Sequence, residues 1–157
     1  MNQALLSSKK MDWCTPQDFF RTLNSEFQFT LDAAATDVSA KCGKYFTPSD
    51  DALTQNWGGQ KVFLNPPYGR ALSEWVAKAY RESQKPDTTV VMLIPSRTDT
   101  QYFHDYILGK ADIRFVKGRL RFTYEDGAEC DPAPFPSMVV IYQNGKQDFS
   151  VTSMPNK

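Results

Sequence analysis

Histidine is almost absent from this 157-residue chain, where His104 stands alone. Cysteine is scarce too: Cys14, Cys42 and Cys130 are odd in number and far apart. Together these shortages exclude the ligand spacing of a zinc site, and no metal is expected. Without a disulfide framework, a reduced cytoplasmic interior is the default expectation. Net charge is missing as well, because 18 basic and 18 acidic side chains cancel. No global positive field advertises a polyanion partner, so any nucleic-acid contact has to come from local clusters. The chain has no apolar run long enough to span a bilayer and no signal peptide, and no membrane partner is expected. What is present is a composition 41% hydrophobic and 13% aromatic, enough for one real core. The length fits a single domain over residues 1–157. Residues 1–11 and 150–157 read as loose polar tails.

Along the chain, helical and strand patterns alternate. Thr15-Pro16-Gln17-Asp18 reads as a helix start, with Thr15 as N-cap and proline in the first turn. Phe19, Phe20, Leu23 and Phe27 then form a helical apolar stripe. FQFTLDAAA (27–35) predicts a strand ending near Asp32, and KVFLN a second one. Residues 41–59 are turn-rich. A helix is predicted over 71–85, a strand over TTVVMLIP (88–95) and a helix over 99–109, closed by glycine. ADIRFV, RLRFTY and PSMVVIYQ read as three more strands. Strands separated by helices favour a mostly parallel sheet with helices on both faces, and the strand-rich C-terminus predicts an antiparallel edge. In such sheets, ligands sit at the carboxyl ends of the strands. Asp32 and the residues after KVFL therefore share one rim.

The residues after KVFL are Asn65-Pro66-Pro67-Tyr68-Gly69. The prolines fix φ and remove two donors, and Pro66 holds Asn65 extended. A strand thus ends in a stiff corner that displays an amide and a phenol. The exocyclic nitrogen of adenine is a poor nucleophile, because its lone pair is delocalised into the ring. Two acceptors for its N–H groups, the Asn65 side-chain oxygen and the Pro66 carbonyl, would draw that lone pair out of conjugation. The double proline keeps both acceptors still. Tyr68 can stack on a base that has left its duplex.

These residues carry a resemblance. Asn-Pro-Pro-Tyr after a hydrophobic strand resembles the catalytic motif of the DNA amino-methyltransferases that use S-adenosylmethionine. WCTP, FTLDAAA, DALTQNW, GRLRF and APFPSMVVIY are similar, in order, to the small phage-type adenine-N6 DNA methyltransferases, the phage Dam family. The resemblance covers roughly residues 13 to 142. It implies a Rossmann-like α/β fold and direct methyl transfer to N6 of a flipped adenine, with double-stranded DNA as partner. It further implies a setting in the cytoplasm of a bacterial host. Asn65, Pro66, Pro67 and Tyr68 would be catalytic. Trp13, Thr15, Pro16, Asp32, Ala33, Asp51 and Asn65 would bind the cofactor. One departure is that Ala33-Ala34-Ala35-Thr36 stands where a glycine-rich loop is usual, and the gap before Asn65 is short. A trimmed cofactor pocket is expected.

Plainer readings stand beside these. Thr15-Pro16 is also explained as a helix cap, and Asp32 as an ion pair. Trp75 reads as plain core and His104 as structural. Lys117, Arg119 and Arg121 alternate, so they share one strand face, either as a solvated edge or as phosphate contacts. Arg70 is a further DNA-backbone candidate, and Phe135 either wedges near the displaced base or packs. With no separate target-recognition domain, specificity falls to loops 37–57 or 123–136, or to a second copy of the chain in a homodimer. The alternatives are a methyltransferase-like protein that binds nucleic acid without catalysis, or one acting on RNA adenine or protein glutamine.

Overall fold

The structure, a computed structural model, describes residues 13–157. Its elements are helix α1 (Gln17–Phe27), strands β1 (Leu31–Asp32) and β2 (Lys61–Leu64), helix α2 (Leu72–Ser83), and strands β3 (Thr89–Pro95), β4 (Asp112–Val116), β5 (Ser137–Gln143) and β6 (Val151–Met154). The sheet order is β1-β2-β3-β5-β4-β6. Strands β1, β2 and β3 are parallel, and β6 is parallel to β4. Strand β5 runs against both β3 and β4.

Strict alternation along the central strands buries both faces. On one face, Val62 and Leu64, Val90, Met92 and Ile94, and Val140 pack with Leu72, Val76 and Ala79 of α2. On the other, Phe63, Val91, Leu93, Val139 and Ile141 pack with Phe19, Phe20 and Leu23 of α1. Helices cover both faces, as the apolar runs predict. Among the described residues, no helix is long and apolar enough to cross a membrane.

Five departures from the expectations have identifiable causes. The antiparallel strand lies inside the sheet, not at its C-terminal edge. Strand β5 is as long as β3, pairs with it over its full length and is buried at every position but its last, so it belongs in the middle. The true edge is β6, drawn from the segment expected to be a loose tail. It is short and exposed at Val151, Thr152 and Ser153, which suits an edge. RLRFTY does not enter the sheet: Thr123 instead bridges Cys14 and Glu129, although Leu120 and Phe122 are buried as the alternation predicts. The helix expected over 99–109 narrows to residues 101–107, of which Phe103–Ile107 form a π-helical turn whose two end residues are buried. Finally, Thr15 does not cap α1. Pro16 holds the N-cap position, with no side-chain cap bond, and α1 continues to Phe27, so β1 starts only at Leu31.

Candidate active site

Strand β2 delivers Asn65 directly from the sheet, and Gly69 closes the elbow with φ of 122°, which side-chain-bearing residues rarely adopt. Parallel pairing of Asp32 with Phe63 brings Asp32 to the same carboxyl rim. A cavity of about 270 Å³ opens there. Asn65, Pro66 and Pro67 line it, together with Trp13, Thr15, Asp32, Ala33 and Asp51.

The Asn65 amide is held from three sides. Its Nδ2 donates to the Trp13 carbonyl at 2.6 Å and to Thr15 Oγ1 at 3.1 Å. Its Oδ1 accepts from the Tyr68 hydroxyl at 2.7 Å, which also lies 3.2 Å from the Leu93 carbonyl. Burial pushes the Tyr68 phenol well above its usual range, so it stays protonated and able to donate. The Tyr68 ring stands edge-on to Phe122 and Phe135, both at 84°, in a cluster that Trp13 completes. Trp13 alone of these four rings lines the cavity.

Asp32 is 3% exposed. Its Oδ1 accepts the Ala34 N–H at 3.3 Å, and its Oδ2 the Lys41 N–H at 3.0 Å. Burial raises its pKa to about 6, against the opposing pull of those two backbone bonds. Lys41 is itself pushed down by burial, and its ammonium donates to Gln17 Oε1 at 2.9 Å. None of Ala33, Ala34, Ala35 or Thr36 adopts a positive φ, so this loop has no need of the usual glycines.

Asp51 sits in the left-handed region between two short 3-10 turns, Pro48–Asp50 and Ala52–Thr54. The second turn is tied down through Trp57, whose indole donates to the Ala52 carbonyl at 3.1 Å. The Trp57 N–H reaches Glu82 Oε1 on α2 at 2.6 Å, and Lys78 and Lys85 pair with Glu82.

Several expected residues lie elsewhere. Pro16 and Arg121 line a neighbouring groove of about 620 Å³. Tyr68, Arg70, Lys117, Arg119 and Phe135 are not among the residues lining the cavity. Arg70, Lys117, Arg119 and Arg121 are exposed, and Phe135 is half-buried. The sequence reading missed Phe46 and Lys41, and Trp75, read as plain core, lines the cavity. Phe46 arrives because 44–46 pairs beside β1: the Asp32 N–H donates to the Lys44 carbonyl, and Phe46 N–H to that of Asp32. The turn-rich sequence there carried no strand period to announce it. Among the described residues, no group of three His, Cys, Asp or Glu side chains is placed to hold a metal ion.

A mixed sheet between helices, with an acid and an Asn-Pro-Pro-Tyr elbow on one cavity, is consistent with a methyltransferase fold. Comparison with known proteins narrows the class. The profile of the DNA N-6-adenine-methyltransferase (Dam) family matches residues 2–157. A DNA N-6-adenine-methyltransferase of Haemophilus phage HP1 is 31% identical over 144 residues, covering 87% of this chain and 83% of its own. One from Escherichia phage T1 is 31% identical over 110 residues, 69% of this chain and 45% of its own. A putative methyltransferase of Escherichia coli K12, YfdM, is 36% identical over 63 residues, 36% of this chain and 69% of its own. The chain belongs to the DNA N-6-adenine-methyltransferase (Dam) family. It is therefore an adenine-specific DNA methyltransferase, as the elbow led us to expect, and the non-catalytic alternative is not favoured.

Proposed function

We propose that the chain takes its methyl group from S-adenosylmethionine and places it on N6 of an adenine that has left double-stranded DNA and entered the cavity beside Asn65. One observation carries this reading: Asn65 and the buried Asp32 line one cavity at the sheet's carboxyl rim.

The residues present suit that donor. Asp32 offers a desolvated carboxylate to an ammonium group, and Asp51 offers one to hydroxyls. Phe46 and Trp75 supply apolar walls for a flat ring, and Ala33 a close backbone. When bound, S-adenosylmethionine supplies a methyl group activated on a cationic sulfur. A cation against Asp32 favours the ionised carboxylate, so donor binding weakens as pH falls through about 6. Thr15 lines this cavity while its hydroxyl serves Asn65, and Pro16 lies on the neighbouring groove.

In the chemistry, Asn65 Oδ1 and the Pro66 carbonyl accept the two N–H groups of the adenine amine and turn its lone pair out of the ring plane. Pro66 and Pro67 keep these acceptors from relaxing away. Tyr68 stacks on the extruded base once Phe135 moves aside. Arg70, Lys117, Arg119 and Arg121 contact phosphates around the opening. A second copy of the chain is a further source of recognition surface, and the work is done in the cytoplasm of the host cell.

The test is incubation with labelled donor and unmethylated duplex DNA, followed by nucleoside analysis. Label on N6-methyladenosine that vanishes in Asn65→Ala supports the reading. Label on cytosine, or none at all, overturns it.

A further inference from the structure

An asparagine amide looks nearly the same from either end, so a catalytic asparagine needs something that tells its oxygen from its nitrogen. Here that distinction comes from the segment ahead of α1. The Trp13 carbonyl can only accept, so the Asn65 atom 2.6 Å away has to be the nitrogen. Thr15 Oγ1 takes the other N–H at 3.1 Å, which fixes the plane of the amide as well as its sense. Thr15 is 2% exposed, leaving little room for water to replace its hydroxyl. With Nδ2 occupied on both hydrogens, Oδ1 is left to face donors. Tyr68 supplies one in the resting protein.

The clamp is itself anchored. Cys14, between the two anchoring residues, exchanges backbone bonds with Thr123: its N–H donates to the Thr123 carbonyl at 3.0 Å, and Thr123 N–H to its own at 2.9 Å. Two restraints therefore meet at Thr15: a side-chain bond to Asn65, and a backbone held from outside α1.

We propose that Thr15 is a positioning residue for methyl transfer, whose hydroxyl fixes the Asn65 amide with its oxygen toward the adenine amine. The inference rests on the reading of Asn65 Oδ1 as the acceptor for that amine. Thr15 does not touch the substrate. It acts through Asn65, and removing its hydroxyl leaves one buried N–H without a partner and lets the amide rock about its bond to Trp13.

The experiment compares Thr15→Val, Thr15→Ser and Asn65→Ala in the full chain, measuring single-turnover methyl transfer to duplex DNA, S-adenosylmethionine affinity by calorimetry, and hydrogen exchange of the Asn65 side-chain amide by NMR. Thr15→Val is expected to slow transfer by about tenfold to a hundredfold. Donor affinity stays unchanged, one of the two Asn65 amide protons exchanges faster, and Thr15→Ser restores both rate and protection. Thr15→Ala poses the same question if the valine variant does not fold. The proposal is overturned if the hydroxyl-free variant transfers at the normal rate, if donor affinity falls in step with rate, or if serine fails to rescue. Full activity in Asn65→Ala is a different result, because it removes the acceptor reading itself; loss in Asn65→Ala beside a normal Thr15→Val removes only the role of Thr15.

Discussion

Two stretches contribute to this cavity and to the groove beside it, and they are built differently. The inner one, Asn65 to Tyr68, leaves the middle of the sheet, and bonds to Trp13, Thr15 and Tyr68 immobilise the Asn65 amide. The outer one, 117–136, carries exposed Lys117, Arg119 and Arg121 and is tied back by backbone bridges at Thr123. In the proposed function the inner stretch would handle a single amine, which requires fixed acceptors. In that function the outer stretch would meet a long, uniform phosphate chain, where charge matters more than the position of any one atom. Rigidity is concentrated where an atom has to be placed, and exposure where a field suffices.

The sharpest way to break this contrast is Asn65→Ala, expected to lower the single-turnover rate by about a hundredfold to a thousandfold while S-adenosylmethionine affinity in calorimetry holds. An equal loss from alanine at Arg121 would erase the distinction between the two stretches. Comparable in size is Glu82→Ala. It takes the carboxylate from Lys78, which is 7% exposed and keeps its bond to the Gln55 carbonyl, and it frees the backbone N–H of Trp57, whose indole holds the Ala52–Thr54 turn. A loss of about 3–5 kcal/mol in urea unfolding is expected.

Asp32→Asn tests the buried acid through pH. The folded carboxylate, at about 6, binds its proton more tightly than the unfolded one, whose value is 3.8. Its contribution to stability is therefore present below 3.8 and disappears as pH rises through about 6. The asparagine variant should gain on the wild type between pH 4 and 7, by up to about 3 kcal/mol in matched urea titrations, while losing donor affinity. A gap that stays flat with pH would mean Asp32 is not desolvated. The smallest effect belongs to the outer stretch. Lys117→Ala with Arg121→Ala should leave folding stability within about 0.5 kcal/mol. It should weaken DNA binding and lower the salt slope by about one for each phosphate no longer neutralised.

Much of this was legible from local pattern. The runs VFL, TVVMLIP and MVVIY announce strands buried on both faces, and the phenylalanine stripe announces α1, because burial on a sheet or a helix leaves a short period in the sequence. The position of β5 inside the sheet was not legible, since strand order depends on which edge is polar enough to face water, and β6 was read as a tail. RLRFTY has a strand's alternation, yet the alternation reflects packing of Leu120 and Phe122 on the α1 face rather than sheet pairing. Trp75 and Phe46 reach the cavity through tertiary placement, which no spacing in either segment encodes.

By itself the sequence determined that Asn65 would be displayed on a stiff corner, because proline rings restrict φ covalently wherever they occur. It also determined that the strand behind this corner would be buried. Only the tertiary structure decided which end of the Asn65 amide is held by Trp13 and Thr15, partners 52 and 50 residues away in the chain, and that burial would raise the Asp32 pKa to about 6. Ring constraints act within a residue or two, whereas hydrogen-bond direction and dielectric surroundings exist only after distant segments have packed.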